Sequence, residues 1–141
     1  MAVVVAVAGK FDPIHRGHME HIRFAKGLGD ILVVITHPDE VIKKLKGYCL
    51  LPLEDRIAVL RDNRYVDSVI ISIDGDGGVA ETLKYLKPQI FAKGGDRTPD
   101  NMPEKELDVC NKLGIQIIYG VGGQWQSSSK LVERMNENLN L

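Results

Sequence analysis

The sequence predicts an α/β protein: a doubly wound sheet of five parallel strands with helices on both faces, forming a single domain over residues 1–141. Two observations carry this. Short apolar runs recur at Val3 to Ala8, Ile31 to Thr36, Tyr65 to Ile73, Gln89 to Ala92 and Ile115 to Tyr119, and their centres are continuous in Val, Ile and Ala instead of alternating. Continuous runs of this length suit strands covered on both faces, which belong to parallel sheets. Between the runs lie segments of helical periodicity, and alternation of strand and helix is the pattern of a layered α/β fold. No internal repeat or low-complexity linker interrupts it.

Composition bounds the rest. The chain is 44% hydrophobic and 26% charged with a net charge of −1, so it can build a core and has no broad basic face for nucleic acid. The opening MAVVVAVA is too short to span a membrane and has no basic leader, so it reads as a strand. Cys49 and Cys110 form no CxxC, which suits two reduced thiols and a cytoplasmic location.

Taken in order, the first strand ends at Gly9 and leads into GKFDPIHRGH, residues 9–18, and then an amphipathic helix from His18 to Leu28. Pro13 and Asp12 stiffen the turn. His15 and His18 stand three apart and so share a helix face beside backbone N–H groups that have no intrahelical partner, a ready anion site. Gly17 removes a side chain where a bulky anion would approach. His15, His18 and His21 recur at every third residue and could also be read as zinc ligands. No carboxylate or Cys accompanies them at ligand spacing, and helical zinc pairs more often stand four apart.

The motif G-x-F-D-x-x-H-x-G-H resembles the signature of the HxGH nucleotidyltransferase superfamily, which has the cytidylyltransferase-like, Rossmann-like fold. The resemblance implies the strand order 3-2-1-4-5. It also implies that His15 and His18 hold the phosphates of a nucleoside triphosphate during attack on its α-phosphorus, and that Gly9, Lys10, Phe11, Asp12 and Gly17 belong to the nucleotide site. Mg2+ is expected with the triphosphate, and a homodimer is the family's habit.

Beyond the second strand, His37, Pro38 and Asp39 break the run, and residues 41–51 read as a basic loop carrying Lys43, Lys44 and Lys46. This cluster follows the carboxyl end of a parallel strand, the side on which ligands sit. A lysine-rich segment before P-L-E-x-R resembles the adenylyltransferase domain of heptose-phosphate enzymes. On that basis Lys44 and Arg56 are expected to contact phosphate and Lys46 to join the histidines in catalysis. Leu53, Ile57 and Leu60 form a core stripe on the next helix. Asp74 to Gly78, DGDGG, is a turn, and Val79, Leu83 and Leu86 pattern another helix.

The fourth strand runs into Lys93, Gly94, Gly95, Asp96 and Arg97. KGGD again resembles the heptose-type enzymes, and Gly94, Gly95, Asp96 and Arg97 are expected at the ligand. Glu104 to Leu113 is helical. The closing helix begins at Ser127, Ser128, Ser129 and Lys130, where three hydroxyls at a helix start suggest a second anion site and resemble the superfamily's second signature. The glycerol-phosphate cytidylyltransferase branch has an arginine five residues before the first serine, and this chain has Gly122.

A switch point between the first and fourth strands would bring these loops together. The expected activity is transfer of a nucleoside monophosphate from ATP or CTP to a phosphorylated sugar or polyol with release of pyrophosphate, leaning to adenylyl transfer. A glycerol-3-phosphate cytidylyltransferase and a non-catalytic nucleotide-binding module are the alternatives.

Overall fold

The structure, a computed structural model, describes residues 1–95, 97–123 and 128–139, with the side chains of 128 and 129 outside that set. Five strands, β1 (Val4–Ala8), β2 (Ile31–Thr36), β3 (Ser68–Ile71), β4 (Ile90–Ala92) and β5 (Gln116–Ile118), form one sheet in the order β3-β2-β1-β4-β5. All four pairings are parallel. The helices are α1 (Arg16–Lys26), α2 (Asp39–Lys46), α3 (Leu53–Arg61), α4 (Ala80–Leu86), α5 (Glu104–Leu113) and α6 (Ser128–Leu139).

Alternation within the strands sends side chains into two separate cores. Val5, Val7, Leu32 and Val34 pack with Ile22 and Ala25 of α1 and Leu60 of α3. Ala6, Ile35 and Phe91 pack on the opposite face with Leu83 of α4 and Val109 and Cys110 of α5. Both faces are covered, which is why the strands carry no polar stripe.

Two expectations need correction. Residues 39–46 are a helix and not a loop. Pro38 precedes it, Asp39 and Glu40 occupy its first turn, the three lysines its last, and Gly47 closes it at φ 86°. That charge order complements the helix dipole, but only Val41 and Ile42 are buried, too short a stripe to announce a helix. The second correction concerns α3. Leu60 is buried as expected, Leu53 and Ile57 are only half-buried, and the residue that points fully inward is Arg56.

Candidate functional site

The site grows from the loop between β1 and α1. Phe11 adopts a left-handed φ of 54°, which is costly for a bulky residue. Its buried ring folds back against Gly9, where a Cβ would stand 3.1 Å from the ring's Cζ. The same ring lies 4.9 Å from that of His18, tilted by 60°. Phe11 therefore shapes the loop and supports a histidine from below; it is 1% exposed, so the expected contact with nucleotide is not available to its side chain.

His15 is the N-cap of α1, and its Nδ1 accepts from the Gly17 backbone N–H at 3.0 Å. His18, three residues on, accepts from the His15 backbone N–H through its own Nδ1 at 3.2 Å. The two imidazoles thus form a reciprocal capping box. Their rings stack with centroids 3.9 Å apart. A ring nitrogen that accepts a hydrogen bond carries no proton, so in each neutral ring the proton sits on Nε2. Burial lowers the pKa of His15. Burial, helped by positive charge on His15, His21 and Lys46, pushes His18 down to about 3. At neutral pH the pair presents two Nε2–H donors without charge. The backbone is less available than the sequence implied. The Gly17 N–H is taken by His15 Nδ1 and that of His18 by the His15 carbonyl at 3.0 Å. The rings, not the helix terminus, are left to face an anion.

Asp12 is wholly buried. Its carboxylate accepts from the backbone N–H of Leu51 at 2.6 Å and of Leu50 at 2.9 Å, and from Lys46 Nζ at 3.2 Å. Burial alone would raise its pKa, but these donors outweigh it and hold the group below the usual carboxylate range. Lys46 also donates to the Asp12 carbonyl at 2.7 Å and lies 4.8 Å from the Tyr48 ring centroid. Asp12 thereby fastens the α2–α3 connection to the histidine loop and fixes the Lys46 ammonium beside His18. Lys44 projects from α2 into solvent.

Arg56, expected at phosphate, is turned into the protein. It is 0% exposed and its donors are occupied: Nε by the Leu51 carbonyl, Nη1 by Thr36 Oγ1 and the His37 carbonyl, Nη2 by Asp39 Oδ1 at 2.6 Å. A guanidinium tolerates such burial because each of its nitrogens finds an oxygen and Asp39 balances its charge. It ties the ends of β1, β2 and α2 together behind the site.

His21 is a clamp. Its Nδ1 meets the Val121 carbonyl at 2.7 Å, joining α1 to the segment after β5. A Cβ on Gly94 would lie 2.7 Å from that ring nitrogen, and one on Gly122 2.7 Å from the His21 Cα. Among the described residues no group of three potential ligands could hold a metal ion, and His21 faces the protein.

A cavity of about 420 Å3 opens over the carboxyl ends of β1, β2 and β4, and Gly9 and Lys10, which begin the histidine loop, line it. Lys93 and Arg97 line it too, as do Asp76 and Glu106. Burial lowers the pKa of Lys10, with Lys46 and Arg97 adding repulsion. Burial likewise lowers that of Lys93, against the pull of Glu106. The structure therefore gathers Gly9, Lys10, Lys46, Gly94 and Arg97 around the end of β1 as the topology required. Gly95 turns the chain at φ 61°, and Lys130 is exposed on α6. Asp96, Ser127 and the side chains of Ser128 and Ser129 lie outside the described residues. His37, Lys93, Asp76 and Glu106 were not singled out as site residues from the sequence. His37 and Lys93 each follow a buried strand, which was the available signal.

A parallel sheet with paired imidazoles and lysines at its switch point defines an α/β enzyme that handles phosphates. Residues 6–134 match the cytidylyltransferase-like family, and the chain belongs to that family of nucleotidyltransferases. It is 39% identical over 137 residues to the FAD synthase of Pyrococcus abyssi, covering 94% of this chain and 92% of that one. It is 32% identical to the bifunctional protein HldE of Pelobacter propionicus over 95% of this chain, which spans 27% of HldE. Among solved structures it resembles a lipopolysaccharide core biosynthesis protein from Thermoplasma volcanium, with a TM-score of 0.73 and 28% identity, covering 89% of this chain and all of that one.

Proposed function

We propose that the protein transfers an adenylyl group from ATP to the phosphate of a phosphorylated sugar or polyol and releases pyrophosphate. The observation that carries this reading is the stacked pair of neutral Nε2–H donors on a loop whose start, Gly9 and Lys10, lines a cavity together with Lys93 and Arg97. An acceptor phosphate oxygen attacks the α-phosphorus of ATP as the bond to the β-phosphate oxygen breaks, and pyrophosphate departs. A monoester with a second pKa near ~6 is already largely dianionic at pH 7, so no base has to remove a proton. What the enzyme must supply is position and stabilisation of developing charge, and imidazole donors and ammonium groups supply both. Mg2+ is expected to arrive with the triphosphate and to be held mainly by phosphate oxygens and water.

Adenylyl over cytidylyl transfer is supported by Gly122. With φ at 90° and no room for a Cβ, that position has no place for the arginine of the glycerol-phosphate branch. The FAD synthase and HldE relatives point the same way, since FAD is an adenylyl group joined to flavin phosphate.

A second reading, flavin phosphate as acceptor, is favoured by the 39% identity to FAD synthase across nearly the whole chain. The cavity supports the sugar more than the flavin. Its described lining carries the charged side chains of Lys10, Asp76, Lys93, Arg97 and Glu106 among Ala8, Leu45, Val79 and Pro103, and His37 is its only aromatic ring, whereas a flavin favours a continuous apolar or aromatic plane. The homodimer expected from the resemblance is a proposal that light scattering can test. No described helix is long and apolar enough to cross a membrane.

The test is pyrophosphate release from four triphosphates, each paired with glycerol 3-phosphate, ribitol 5-phosphate, a hexose 1-phosphate, a heptose 1-phosphate and flavin mononucleotide. ATP with a sugar or polyol phosphate is the expected productive pair. Turnover only with CTP, or none with any pair, would overturn the reading.

A further inference from the structure

His37 stands immediately after β2 and is 3% exposed. Its carbonyl is held by Arg56 at 2.8 Å, so the backbone is fixed. Yet its Nδ1 is sealed from solvent without a hydrogen-bond partner, alone in this respect among the described side chains. Buried polar atoms are normally paired, and an orphan in a functional cavity asks for an explanation. The same residue lines the cavity together with the cations Lys10, Lys93 and Arg97 and the carboxylates Asp76 and Glu106.

These groups differ in what they can recognise. The three cations only donate hydrogen bonds, and the two carboxylates, when ionised, only accept. Burial, with the positive charges of Lys10 and Arg56, pushes the pKa of His37 down to about 4 against the opposing pull of Asp74 and Asp76. A neutral imidazole both donates and accepts, as a hydroxyl does.

We propose that His37 reads the hydroxyl-bearing body of the acceptor, its imidazole hydrogen-bonding a sugar or polyol hydroxyl while the cationic wall takes the phosphate. A half-turn about the Cβ–Cγ bond exchanges Nδ1 with Cδ2 and gives the orphaned nitrogen a ligand partner. The two carboxylates in the same lining disfavour an acceptor bearing a second phosphate, so the class selected is a polyhydroxylated monophosphate. This inference rests on the proposed adenylyl transfer and adds the residue that selects among acceptors.

The experiment compares wild type, His37→Phe and His37→Asn in pyrophosphate release with ATP and the acceptor of the panel that turns over fastest. Phenylalanine keeps the flat ring and removes both nitrogens; asparagine keeps a polar atom near the place of Nδ1. His37→Phe is expected to raise the acceptor KM about tenfold with the ATP KM unchanged, and His37→Asn to recover much of that loss. The His37 Nδ1 resonance of 15N-histidine-labelled wild type is expected to shift when that acceptor is added, a readout needing no variant to fold. An unchanged acceptor KM in a folded variant, or an unmoved Nδ1 resonance at saturating acceptor, overturns the role of His37 and leaves the transfer reaction standing. Absence of wild-type turnover with every sugar or polyol phosphate overturns both.

Discussion

The two halves of the site treat their polar groups in opposite ways. Around the β1–α1 loop, most are satisfied within the protein: Asp12 by Leu50, Leu51 and Lys46, His15 Nδ1 by the Gly17 backbone and His18 Nδ1 by the His15 backbone. Across the cavity, His37 Nδ1 is an orphan, and Lys93 lies 4.6 Å from the Phe91 ring centroid and has no ion-pair partner among the described residues. The first half resembles a finished tool whose geometry does not wait for ligand, as preorganised stabilisation of a transition state requires. The second carries unmet capacity for hydrogen bonding, which suits a region that gains its partners from a bound ligand.

The comparison can be broken most forcefully at Asp12. Asp12→Ala removes the acceptor for two backbone N–H groups and strands the Lys46 charge, and breaking a buried pair in this way costs about 3–5 kcal/mol. Urea unfolding is expected to show that loss. A change below about 1 kcal/mol would mean the network is not what holds the loop.

His18→Ala comes next. It is expected to lower pyrophosphate release about 10²-fold or more, the usual cost of deleting one transition-state donor. Loss of the half-cap costs only about 1 kcal/mol of stability, so circular dichroism should report an intact fold. Rates within threefold of wild type would remove His18 from the chemistry.

Acidification tests both halves together. His18 and His37 have folded pKa values of about 3 and about 4, below an unfolded value near 6.5. The unfolded chain therefore binds more protons than the native one in that interval. Their contribution is complete above about pH 6.5 and is lost as pH falls toward the folded values, with a slope of up to ~1.4 kcal/mol per pH unit for each ring. Denaturant midpoints measured from pH 7.5 to 4.5 should fall on the acid side; a flat profile would show that the rings are not held neutral.

The smallest effect belongs to Lys44→Ala. Its side chain is exposed on α2, so kcat/KM is expected to stay within about twofold and stability within about 0.5 kcal/mol. A tenfold fall would bring this lysine into the site.

Much of this was legible in the sequence because it is local. Val3 to Ala8 reads as a strand buried on two faces without knowing its neighbours, and the spacing of His15 and His18 forces them together on the first helical turn. The strand order came from resemblance and matches. Arg56 was misread because its helix face looks like that of any basic residue before a phosphate site; only the packing of β2, α2 and the β1 loop shows that oxygens surround it. The helical nature of residues 39–46 was hidden by a stripe of two apolar side chains. His37 looked like a strand breaker, since an orphaned nitrogen depends on groups brought near by folding and leaves no trace in residue spacing.

The close fit of Gly122 against the backbone of His21 has a consequence for engineering. The position cannot take on a larger residue unless α1 shifts, and α1 carries both imidazoles. A substitution at Gly122 would therefore reach the imidazole pair from a distance, by way of the helix that carries it.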